Sequence, residues 1–497
     1  MPPAVILDRP LTWRVIGAIA EGASMALSPA AQERVREARR RVQSIVAQDI
    51  RAYGVNTGVG ALCDVIVTPS RQRQLSRNIV MSTAVGVGPA LEAPEVRAII
   101  ASAINNFAHG YSGVRIEVVE RLLALLVREC IPEVPADGSV GYLSHMAHIA
   151  LVLLGAGRAR LQGESLNGAE ALRVAGLEPL VLEVKEGLSL VNGTPCVTGL
   201  SALALTRIEP LLDWADMIGA MSFENLHGQV SALEPEGLNL RASPALRRVG
   251  ERLRAALAGS AILAASAGRR TQDALSLRAM PQVHGAVREQ FEHACAATDA
   301  ELASVTDNPV VLGSIRAPRA FSEAHAVGAA IGLNADALGI GVAELAAMSE
   351  RRIDRLVNPL VSQLPPFLAA DGGVDSGFMI AQYTALGLVA ENRRLAAPAS
   401  LDGGVTSGLQ EDHLSHATPA ARKLLKIVGN AELIFSIELL AAAQAYDLQP
   451  GSLARAPKTD ALYRRVREHV AFYRDDRPLA EDIGRAGEML RTERAGS

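Results

Sequence analysis

Between Val134 and Met146 the chain reads Val-Pro-Ala-Asp-Gly-Ser-Val-Gly-Tyr-Leu-Ser-His-Met, then passes at once into the apolar run Ala147 to Gly155. Gly138, Ser139 and Gly141 in so short a turn supply backbone N–H groups and special φ/ψ positions at the mouth of a buried helix. A second loop, Tyr53-Gly54-Val55-Asn56-Thr57-Gly58-Val59-Gly60, holds three glycines in eight residues. It lacks the Gly-Lys-Ser/Thr ending and the preceding strand of a phosphate loop, so no nucleotide site is expected. A tyrosine at the head of such a loop can enter a pocket and take a proton if neighbours lower its pKa; alternatively its ring anchors the loop. His145 and His148 share a helix face at i, i+3, the spacing of a metal pair. No third ligand lies near them in sequence, so packing or supporting roles are expected and no metal is assigned. Glu411, followed by Asp412 and His413, offers an acid able to hold an imidazole by a charge-assisted hydrogen bond. His413 and His416 read equally well as surface residues.

These groups need a scaffold, and composition says which kind. Of the 497 residues, 49% are hydrophobic but only 3% aromatic, so the core is built from Ala, Leu, Val and Ile. Small and γ-branched residues suit close helix packing better than a sheet. Long helical patterns run over 196–233, 281–304, 326–356, 377–395 and 419–448, lengths that imply an elongated antiparallel bundle burying its faces on itself and on other subunits. Shorter ones cover 29–49, 76–88 and 96–130, the last broken at Asn105-Asn106 and at Gly110 to Gly113. Leu161 to Leu182 reads as a small lobe. A leader with Pro2, Pro3 and Pro10 precedes all of these. The fold class is therefore mostly α, divided as 1–194 (N-terminal domain), 195–449 (central bundle) and 450–497 (capping helices). A formal charge of −4 and dispersed Lys and Arg leave no footprint for nucleic acid. Cys63, Cys130, Cys196 and Cys295 are too scattered for a zinc knot or a disulfide framework. Runs such as 149–155 are too short to span a bilayer, and a cytoplasmic protein without a membrane partner is expected.

The segment from Ile131 to Gly157 resembles the core of the aromatic amino acid ammonia-lyases, the family of histidine and phenylalanine ammonia-lyase. The resemblance continues in order through the Tyr53 loop, Gly110-Tyr111-Ser112-Gly113 ahead of Arg115, Leu188 to Thr194, Gln272 to Arg278 and Thr306-Asp307-Asn308-Pro309. It extends through Ser349-Glu350-Arg351-Arg352, Gln363 to Leu368 with Ser376 to Met379, and Gln410-Glu411-Asp412-His413, covering nearly the whole chain. It implies a small-molecule amino acid or betaine substrate and a homotetramer whose active sites each draw on three subunits. It also implies roles for single residues: Tyr53 as base, Glu411 facing the substrate ring, Asn192 on a carbonyl, and Arg278 on the substrate carboxylate through its guanidinium fork. Thr83, Gln410 and Arg393 stand at further substrate-contacting positions. Thr83 replaces a histidine of the histidine-specific members, and Arg393 replaces a lysine.

Departures gather at the chemistry. In the family, Gly-Ser-Val-Gly is followed by Ala-Ser-Gly, which cyclises to an electrophilic methylidene-imidazolone; here Gly141 runs straight into Tyr142. Leu275 stands where a second essential tyrosine is expected, and Glu323-Ala324-His325-Ala326 replaces an Asn-Phe-His segment. The preferred expectation is a cofactor-free lyase. An amine lone pair is what the electrophile alkylates, and a trimethylammonium group has none and already leaves as a neutral amine. The pattern resembles ergothionase, which removes trimethylamine from ergothioneine. Two alternatives are an ordinary methylidene-imidazolone ammonia-lyase, with an Ala-Ser-Gly group omitted from the written chain, and a non-catalytic binding paralogue. Retention of Tyr53, Asn192, Arg278 and Glu411 argues against the last.

Overall fold

The computed structural model describes residues 4–401, 403–449 and 451–495, so Pro2, Pro3 and Pro450 lie outside the described residues. Its contacts divide the chain into two units, each assembled from three separate stretches. The long helices fall where the apolar patterns place them, at Pro195–Asn225, Met280–Leu302, Ala329–Val357, Met379–Leu395 and Ala417–Leu448.

The first unit comprises 1–206, 294–336 and 398–422. Helix Pro29–Ala47 starts where Ser28 Oγ accepts from the Ala31 amide at 3.0 Å and Pro29 presets the first turn. Its face packs Ala38, Val42 and Ile45 against Ala52, Val55 and Val311, which anchors the base of the Tyr53 loop. Helix Ala93–Ala108 opens with a Glu92/Glu95 capping box and is buried along almost its whole length. The expected helix over 76–88 stops at Thr83, because Gly86, Gly88 and Pro89 cannot continue it; Val87–Ala90 instead pairs antiparallel with Pro135–Asp137. The small lobe is a hairpin, Arg158–Leu161 with Glu164–Asn167, followed by helix Gly168–Val174. Helices Gln72–Thr83 and Glu186–Val191 touch at Gly187, where a Cβ would lie 1.8 Å from the Ser76 carbonyl oxygen. Only glycine allows that approach, and the Gly187 amide donates to Ser76 Oγ at 2.6 Å.

The second unit comprises 207–293, 337–397 and 423–497. Its core is apolar helix face threaded by satisfied polar clusters. Arg352 and Glu438, both fully buried, pair at 2.6 Å, and Ser222 and Ser349 donate to the same carboxylate. Glu224 accepts from Tyr446, Thr459 and the Ala456 amide. Trp214 Nε1 donates to the Leu490 carbonyl at 3.0 Å and ties down the last helix, Leu479–Thr492. Pro195–Asn225 ends earlier than expected because His227, at φ 55°, and Gly228 turn the chain away. Two helical stretches, Glu186–Asn225 and His325–Val357, are long and apolar enough to cross a membrane by length and composition; the apolar window of the first is entirely buried and that of the second is 44% buried.

Candidate active site

Loops at 53–60, 138–143 and 406–411, with the ends of helices Gln72–Thr83 and Glu186–Val191, surround a cavity of about 910 Å³ in the first unit. Tyr53, Thr83, Tyr142, Asn192, Gln410 and Glu411 all line it. Arg278 and Arg393 belong to the second unit and are not among its lining residues. Arg278 Nε donates to the Asp273 carbonyl at 2.9 Å, while Arg393 and Leu275 are exposed.

The Tyr53 loop is held by its own side chains. Asn56 accepts from the Ala52 amide at 2.8 Å and donates to the Ile50 carbonyl at 3.0 Å; the Gly60 amide donates to the Tyr53 hydroxyl at 3.0 Å. The neighbours of Tyr53 do not lower its pKa. Burial pushes the phenol up and Glu411 adds to this, outweighing the Gly60 amide that favours the phenolate.

The Gly141–Tyr142 turn is tightly specified. Thr418 Oγ1 donates to the Gly141 carbonyl at 2.7 Å and the His416 amide to the Val140 carbonyl at 2.9 Å. Leu143, at φ 76° and ψ −76°, sits at the centre of a γ-turn closed by the Ser144 amide on the Tyr142 carbonyl at 3.2 Å. That conformation is strained for a residue with a Cβ, and it is how the short connection enters helix Ser144–Leu153. The Tyr142 hydroxyl, directed across the cavity wall, donates to Glu411 Oε2 at 2.6 Å; burial and then this carboxylate raise its pKa strongly.

Asn192 is nearly buried, with Nδ2 donating to the Asn308 carbonyl at 2.7 Å and Oδ1 accepting from the Gly193 amide at 2.9 Å. Behind it Lys185 and Asp307 form a wholly buried pair at 3.0 Å, and Asp307 accepts from the Asn308 amide at 2.8 Å. Burial pulls the Lys185 ammonium down, and Asp307 opposes it. His145 Nε2 meets the Ala136 carbonyl at 3.1 Å, and burial lowers this imidazole to about 4; His148 Nε2 accepts from the Gly86 amide at 3.1 Å. Both histidines thus serve the backbone around the turn.

Sequence inspection gave no role to Glu323, Ser144 or Cys63, which also line the cavity. For Glu323 a signal existed in the replaced Asn-Phe-His segment; the other two carry none. A separate cavity of about 760 Å³ in the second unit is lined by Asp213, Asp216 and Arg252, charges that already pair with one another.

Phenol and carboxylate groups converging on one cavity suit proton transfer at carbon, and the fold places that chemistry among the carbon–nitrogen lyases. The sequence matches the aromatic amino acid lyase family over residues 11–468, and the chain belongs to that family. It is 42% identical over 503 residues to the histidine ammonia-lyase of Deinococcus radiodurans, covering 99% of this chain and 95% of that one. The crystal structure of histidine ammonia-lyase from Trypanosoma cruzi superposes with a TM-score of 0.91 at 36% identity, covering 99% and 94% of the two chains. That of ergothionase from Treponema denticola, an ergothioneine-degrading enzyme, gives 0.89 at 28% identity, covering 99% of each.

The family normally uses a methylidene-imidazolone made from an internal Ala-Ser-Gly. The residues present do not fit that group: Gly141 is bonded to Tyr142, and the written sequence contains no Ala-Ser-Gly anywhere.

Proposed function

We propose that this lyase eliminates a tertiary amine from a histidine-like betaine without the methylidene-imidazolone, and that its substrate is ergothioneine. The observation that carries the proposal is the Gly141–Tyr142 junction, with the Tyr142 hydroxyl bonded to Glu411. A quaternary ammonium needs no electrophile, since its C–N bond breaks to release neutral trimethylamine. What remains is removal of the proton on the carbon beside the ring. Tyr53 takes that proton, the C–H electrons become the new double bond, and the C–N pair departs with trimethylamine, leaving a thiourocanate.

Burial and Glu411 raise the pKa of Tyr53. A fixed positive charge bound beside it opposes Glu411 and favours the phenolate. Glu411, oriented by Tyr142, holds the protonated thioimidazole as electron sink, and Asn192 and Thr83 bound the pocket. Arg278, with Gln410 and Arg393, completes carboxylate recognition in a homotetramer. Ile380, Tyr383 and Leu386, exposed at three-residue spacing along Met379–Leu395, supply apolar surface for that assembly.

The 42% identity to a histidine ammonia-lyase favours a second reading, ammonia release from histidine. Supplying ergothioneine and histidine separately to the purified protein tests both. The proposal expects trimethylamine from the first and no ammonia from the second; the reverse pattern overturns it.

A further inference from the structure

We infer that Glu323 is the specificity-determining residue that selects a fixed cation in the cavity, a division of labour in which Glu411 serves the ring and Glu323 the ammonium. The inference rests on the proposed elimination from a betaine and adds to it the group that recognises the betaine nitrogen. Glu323 lines the same cavity as Glu411, and no Lys or Arg stands among the described lining residues. An anionic cavity of this kind carries a standing electrostatic demand for a cation.

The placement of Glu323 is built from behind. Its amide donates to Asn308 Oδ1 at 2.7 Å, and Asn308 is itself fixed by Asp307 and Asn192, with Lys185 buried against Asp307. The side chain is 29% exposed, with Oε2 turned inward, 2.8 Å from His325 Nε2. Ser144 lines the same cavity with a side-chain oxygen that has no partner although the residue is 95% buried. An unsatisfied buried hydroxyl in a cavity wall points to a ligand that completes it. Tyr142 engages Glu411 and His325 faces Glu323 Oε2, so Glu323 meets a second charged group through the exposed part of its side chain.

The test is equilibrium binding to the full chain in a Tyr53→Phe background, which prevents turnover. Two ligands are compared: the trimethylammonium betaine of histidine, and 3-(imidazol-4-yl)propionate, which keeps ring and carboxylate but lacks the cation. Glu323→Gln is expected to weaken the betaine at least about tenfold and the propionate by less than about twofold, with Glu323→Asp restoring most of the loss. Equal changes for both ligands, or no change for either, overturn the inference. These arms are read whether or not the unaltered protein releases trimethylamine, so a failure of the proposed reaction is distinguishable from a failure of Glu323.

Discussion

Tyr142 meets Glu411 across 269 residues of sequence, and the account of the site turns on that contact. Tyr142→Phe removes only the hydroxyl. A hydrogen bond to a charged group is worth roughly 1.5–3 kcal/mol, so kcat/KM for the betaine should fall about 10- to 150-fold with the fold intact. Steady-state trimethylamine release beside a thermal melt reads both quantities. Tyr53→Phe should instead reduce kcat by about 10² or more, the usual contribution of a positioned base, with little change in binding; unchanged kcat would remove Tyr53 from the role of base. Motif order made Tyr53, Asn192 and Glu411 legible as cavity residues. The Tyr142–Glu411 and Glu323–Asn308 contacts were not legible, because each depends on tertiary placement that no local period encodes. The direction of the Tyr53 pKa was not legible, since burial is a property of the folded cavity and not of a glycine-rich loop.

At the scale of elements, two helices and one turn position the site. Gly187 lets Glu186–Val191 lie against Gln72–Thr83, so Gly187→Ala drives a methyl into the Ser76 carbonyl. Overpacking of this kind costs roughly 1–3 kcal/mol, and a lowered melting temperature together with a raised KM is expected, because the same two helices carry Asn192 and Thr83 to the cavity. His145 gives helix Ser144–Leu153 a pH response. Its folded pKa, about 4, lies below the unfolded value near 6.5, so between these pH values the unfolded chain binds the extra proton. Stability is full above pH ~6.5 and falls by roughly 2–3 kcal/mol as pH drops to about 4, with His109, His148, His227 and His284 shifted in the same direction. Urea midpoints at pH 7 and pH 5 for the unaltered protein and His145→Gln measure this share; an identical pH dependence in both would remove His145 as a contributor. The long helices were readable from apolar period because they are long. The strand at Val87–Ala90 and the γ-turn at Leu143 were not, since the first depends on a distant partner and the second on how a short connection must close.

For the whole molecule, the cavity lies within one unit while Arg278 and Arg393 sit in the other. Under the proposed homotetramer, Arg278 and Arg393 of a neighbouring copy complete the carboxylate site. Light scattering is then expected to give four times the chain mass of 52.3 kDa. A mixture of inactive Tyr53→Phe and inactive Arg278→Ala proteins, refolded together, should regain part of the activity, whereas a site complete within one chain would show no recovery. The central claim is elimination without a methylidene-imidazolone, and the most direct measurement is the intact mass of a preparation shown to release trimethylamine from ergothioneine. The mass of the written sequence in the active protein is the predicted result; a mass larger by a dehydrated Ala-Ser-Gly would contradict it.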